Sequence, residues 1–170
     1  MRDQIIAATE QSLNLVTHPR LFRTERGYAA MCYYFLMDAL IERGLLTLPG
    51  DRLLEMEYQK GSRHELHWRP DLIFHTPVEV SGVSERENNY ATWSFKLGGG
   101  VDAAKDDFEK LDDMFRRLDY ALGFFVNIDG EEDFLESYAG PFRDRLVGAT
   151  VRLRNNELIV HMRPCPPLRR

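Results

Sequence analysis

The 170-residue chain lacks most of the features that would assign it to a membrane, a secreted scaffold or a coat on nucleic acid. It has two cysteines, Cys32 within an apolar helical pattern and Cys165 near a proline-rich end, and this pair makes neither a disulfide framework nor a zinc site. There is no apolar run of the roughly 20 residues that a membrane-spanning helix needs. A basic-then-apolar leader is also missing, so a cytoplasmic protein with no membrane partner is expected. Low-complexity tracts are absent, and 44% hydrophobic with 29% charged residues is the composition of an ordinary globular protein. One domain over 1–170 is expected, with a core at about 21–129 and an extension at 130–170, because a single core of this size buries about two thirds of the unfolded surface.

An excess of positive charge is missing too. The net charge of −5 argues against a protein that coats nucleic acid through Lys and Arg. Its distribution is uneven: from Pro141 onward seven Arg face only Asp144 and Glu157, so this end carries +5 and the remainder −10. An exposed hairpin kept soluble by its charge is the expected reading, with a local basic surface for a polyanion as the alternative.

The hydrophobic pattern predicts an amphipathic helix over Asp3 to Val16, ended by His18-Pro19. A second helix follows Thr24, an N-cap residue type, with the stripe Tyr28, Cys32, Phe35, Leu36, Ala39 and Leu40, and stops at Gly44. Glu25 falls on that inward stripe, so it is either a first-turn carboxylate favoured by the helix dipole or a site acid. Leu53 to Tyr58 reads as a strand, then Gln59 to Arg69 as a basic loop containing Lys60, Arg63, His64, His67 and Arg69.

The stretch Trp68 to Gly100 organises the rest. Asp71 heads a short apolar strand reaching His75, and Tyr90 to Leu97 alternates so that Ser94 and Lys96 share one side. Gly98-Gly99-Gly100 leads into a helix from Asp102 to about Tyr120, striped by Ala104, Phe108, Leu111, Phe115 and Leu118. These glycines are read as a flexible connector rather than an anion pocket. Ala121 to Ile128 is almost wholly apolar, as a strand buried on both faces would be. Glu131 to Arg145 predicts one more helix, interrupted near Gly140-Pro141. Thr150 to Arg154 and Glu157 to Met162 predict a hairpin, followed by a loose tail after Arg163.

The order helix, three strands, helix, strand resembles the core of the PD-(D/E)XK nuclease-like superfamily, the restriction-endonuclease-like fold. It is carried by Glu57-Tyr58, the run Arg69-Pro70-Asp71-Leu72-Ile73-Phe74-His75, Ser94-Phe95-Lys96 and Lys110-Leu111. The resemblance implies an α/β domain with an αβββαβ core and a mixed sheet flanked by helices, plus the N-terminal helix and C-terminal hairpin. It also implies a divalent-metal-dependent nuclease acting on nucleic acid, with DNA favoured over RNA. Asp71, the Phe95 carbonyl and Glu25 would hold Mg²⁺ or Mn²⁺, with Lys96 orienting the attacking water. Ser94 stands where the family carries an acid. Either the carboxylate comes from another strand, Glu57 or Glu79, or Ser94 acts where Asp71 and Glu25 suffice. The alternative function is a catalytically degenerate module that binds nucleic acid, through Arg63, Arg69, Lys96 and the Arg-rich hairpin, or a protein partner.

Overall fold

The computed structural model describes residues 1–56, 70–77 and 88–167. Helix α1 (Arg2–Leu15) buries Ile5, Ala8, Thr9, Ser12 and Leu13, spaced three and four apart as one helical face requires. A short 3-10 turn at Pro19–Arg23 leads to α2 (Glu25–Glu42). The hydroxyl of Thr24 accepts the Gly27 N–H at 3.2 Å and satisfies one of the otherwise orphaned donors of the first turn. Tyr28, Ala29, Cys32, Leu36, Ala39 and Leu40 form the buried stripe, and Gly44 adopts φ +66 just past the helix end.

Six strands follow: β1 (Leu53–Met56), β2 (Leu72–His75), β3 (Asn89–Leu97), β4 (Leu122–Ile128), β5 (Leu146–Arg154) and β6 (Glu157–Pro164). They lie in one sheet in chain order. β1, β2 and β3 form an antiparallel meander, β4 joins parallel to β3 and β5 parallel to β4, and β6 closes antiparallel. Helix α3 (Val101–Leu118) makes the crossover from β3 to β4, the covered route that a parallel pair needs. The succession α2-β1-β2-β3-α3-β4 on a mixed sheet flanked by helices is the αβββαβ order expected from the sequence.

Period-two alternation divides the core between the two sheet faces. Leu72, Phe74, Trp93, Phe95, Phe124 and Val126 pack with α1 and α2. Ile73, Phe125 and Leu146 pack with Ala104, Phe108, Leu111 and Phe115 of α3. Trp93 stacks on Phe124 at 5.1 Å, and its indole N–H donates to Thr9 Oγ1 at 3.2 Å, which ties the sheet to α1. Every position of β4 is buried, as its apolar run predicts.

The second half departs from expectation in three places. The segment 131–145 forms no α-helix, only 3-10 turns at Leu135–Ser137 and Arg143–Arg145. Phe134 takes φ 54, and Gly140-Pro141 breaks the register that a helix would need. The hairpin is not an exposed appendage, because β5 begins at Leu146 and extends the central sheet beside β4. Residues 164–167 of the tail are docked rather than loose: Cys165 is buried, its N–H donates to Leu146 O at 2.8 Å, and Arg143 Nη1 donates to Pro166 O at 2.9 Å; the last three residues lie outside the described ones.

Candidate functional site

Three elements meet where β3 ends. Asp71 immediately precedes β2, and its Oδ2 accepts the Phe95 backbone N–H at 2.7 Å. Glu25 opens α2, and its Oε2 accepts the Leu97 N–H at 3.2 Å. The two acids thus grip the strand on either side of Lys96. The lysine Nζ lies 3.9 Å from Glu25 Oε2 and 3.5 Å from Asp107 Oδ2.

Asp107 is the residue that pattern reading misses. It lies on α3 and is only 1% exposed, which makes an uncompensated charge there costly. Its Oδ1 accepts from Lys110 Nζ at 2.5 Å, whereas Oδ2 faces Lys96 without accepting a hydrogen bond. A sequence signal did exist: Asp107 falls three residues after Ala104 and four before Leu111, on the apolar stripe itself. Glu25, Asp71, Ser94, Lys96, Asp107 and Lys110 all line one cavity of about 90 Å³.

Burial pushes the Asp71 carboxyl up to about 6; the charges of Glu25 and Asp107 add to the rise, while the Phe95 N–H and Lys96 oppose it. Among the described residues the cavity sets three carboxylates, Glu25, Asp71 and Asp107, against two lysines, Lys96 and Lys110.

Asp71, Glu25, Ser94 and Lys96, separate in sequence, come together at this cavity. Phe95 meets Asp71 through its N–H, whereas the resemblance implied a role for its carbonyl. Glu57, Glu79, Arg63 and Arg69 lie outside the described residues. Among the described residues no three His, Cys, Asp or Glu side chains converge as a ready-made metal cage. Mg²⁺ does not need one, since it commonly takes one or two carboxylates and completes its shell with water and substrate phosphate. Asp71, made hard to ionise chiefly by burial, and the buried Asp107 Oδ2, which accepts no hydrogen bond and lies 3.5 Å from Lys96, fit an open site of that kind. The donor set suits a hard cation bound by two carboxylates.

Three arginines of the C-terminal hairpin form ion pairs away from the cavity. Arg152 pairs with Glu131 at 3.5 Å, Arg154 with Asp129 at 2.6 Å, and Arg163 with Asp133 at 2.6 Å and Glu136 at 2.8 Å. Among the described residues no helix is long and apolar enough to cross a membrane.

No protein-family model matches the chain. No curated protein matches it either. Among solved structures it is similar to NucC of P. aeruginosa ATCC27853 in its cAAA-bound form, with a TM-score of 0.42 and 10% identity over 97% of this chain and 83% of that one. At that distance the chemistry rests on the residues of this chain.

Proposed function

We propose that the cavity hydrolyses phosphodiester bonds of nucleic acid with the help of Mg²⁺ or Mn²⁺, held by Asp71 and Asp107. DNA is the substrate class that the sequence resemblance implies. The observation that carries the proposal is the buried Asp107, with an oxygen that accepts no hydrogen bond, in one cavity with Asp71 and Lys96. Asp107 supplies from the helix the carboxylate that Ser94 does not supply from the strand.

A bound cation would stabilise charge on the phosphate and lower the pKa of a coordinated water. The chain does the positioning. The Phe95 N–H fixes one oxygen of Asp71 and leaves the other for a ligand. Lys110 fixes one oxygen of Asp107 in the same way. Lys96 presents its ammonium between Glu25 and Asp107, where a phosphate oxygen or the attacking water would meet it. Glu25 holds the end of β3 through Leu97 and keeps that ammonium at the cavity.

Cleavage of DNA in Mg²⁺ or Mn²⁺ is expected to fall about a hundredfold or more in Asp71→Ala, Lys96→Ala and Asp107→Ala, the scale seen when a single stabilising group is removed. Persistence of cleavage in the three variants overturns the proposal. The neutral Ser94 in the cavity supports a second reading, a binding module without catalysis. Calorimetry separates the two: that reading requires no Mn²⁺ binding by the native chain and its appearance in Ser94→Glu.

A further inference from the structure

The sequence passes from Lys96 through three glycines into α3, and β4, the strand beside it, carries one amide in an apolar run. Asn127 is the register partner of Lys96 across the parallel β3–β4 pair and is fully buried, at 0% exposure. A buried amide must satisfy its polar atoms inside the protein. Asn127 does so on the backbone of the corner. Its Oδ1 accepts the Gly99 N–H at 3.1 Å, and its Nδ2 donates to Gly99 O at 3.1 Å and to Glu132 O at 2.8 Å. Both amide protons and the carbonyl are thereby used, and the Gly99 residue is held at its N–H and its C=O at once.

The corner admits this clamp only because of its glycines. Gly98 turns the chain at φ +58, with its N–H on Ile128 O at 2.7 Å. Gly130 leaves room for the Asn127 amide, which a Cβ there would overlap. At Gly99 a Cβ would overlap Cγ of Lys96, and the next contacts are Cβ and Cδ of the same side chain. The backbone that Asn127 grips is therefore a wall along which the lysine stem runs.

The geometry points to Asn127 as a positioning residue: by clamping Gly99 it presses the glycine backbone against the stem of Lys96 and leaves the ammonium one course, toward Glu25 and Asp107. Asn127 touches neither a ligand nor the ammonium, and it acts through Gly99. Its effect on catalysis rests on the phosphodiesterase reading above, whereas the placement of Lys96 does not.

A stability cycle on the full chain tests the placement without substrate. Gly99→Ala lowers Tm by roughly 5 °C in the native background, as forced overpacking does, and changes it by no more than about 1 °C in the Lys96→Ala background. An equal loss in both backgrounds overturns the inference, because the added methyl group then meets something other than the lysine. With substrate, Gly99→Ala and the near-isosteric Asn127→Asp lose about a hundredfold in kcat while KM stays within about twofold, as a misplaced catalytic group predicts. A raised KM with native kcat in both variants overturns the positioning role. If the native chain cleaves no nucleic acid, the phosphodiesterase reading fails, and the coupling in the Tm cycle alone then supports or overturns the placement of Lys96.

Discussion

Asp71→Asn makes the electrostatics of the corner measurable. The asparagine oxygen can still accept the Phe95 N–H, so the substitution removes charge while leaving the hydrogen bond that anchors the side chain. In the native protein the carboxyl titrates at about 6 against an ordinary 3.8, chiefly because it is buried and secondarily because Glu25 and Asp107 lie near it. The folded state thus holds this proton more tightly than the unfolded state. Stability associated with the protonated form is fully present below about pH 3.8 and is lost as pH rises through about 6. At 1.36 kcal/mol per pH unit, a rise of that size amounts to at most about 3 kcal/mol, a ceiling because Asp71 keeps some contact with solvent.

Urea unfolding in EDTA from pH 3.5 to 8, run on both proteins, isolates the effect, since the other titrating groups largely cancel in the difference. Relative to its value at pH 3.5, the stability of Asp71→Asn over native should grow between about pH 4 and 7 and level off near 2–3 kcal/mol. A difference that stays flat across this range, or that grows toward acid, refutes the account of Asp71. Mg²⁺ at about a hundred times its Kd should then return roughly 2.7 kcal/mol to the native protein and markedly less to the variant.

Other perturbations probe the parts that place the site. Ser94→Glu adds a carboxylate to the cavity and should tighten Mn²⁺ binding about tenfold by calorimetry; weakened binding would show that the position is closed to a cation. Thr24→Ala removes the cap that starts α2 just before Glu25 and should cost about 1 kcal/mol in denaturant unfolding. Gly123→Ala places a methyl group against the ring of Phe115 between β4 and α3, and should cost about 1–3 kcal/mol.

Most of the core was legible because its periodicities are strong. The stripe of α3, the alternation of β3 and the wholly apolar β4 each lead to one element, and the meander-then-crossover order follows from them. The connection from β4 to β5 was not legible. Phe134, Leu135, Tyr138 and Phe142 give it helix-like apolar content, but its conformation is set by nonlocal partners such as Arg143, which bonds Tyr138 O and Pro166 O. At the site, Glu25 was legible as an acid on an apolar stripe. Asp107 satisfies the same test, yet it sits among the charges of DAAKDDFEKLDD, where an inward acid resembles its solvated neighbours. Asn127 was hidden differently: one amide in a buried strand says that a partner exists but not which backbone it grips.

The ion pairs that join β5 and β6 to the loop after β4 bear on how fast a polyanion can arrive. Arg152, Arg154 and Arg163 are matched by Glu131, Asp129, Asp133 and Glu136, so these three charges are cancelled at their own surface. Seen from beyond a Debye length, about 8 Å in physiological salt, the molecule presents its net −5 rather than a positive patch. Adding salt at low ionic strength would then screen repulsion and speed the encounter with nucleic acid, the reverse of the slope expected of proteins that approach DNA through a basic face.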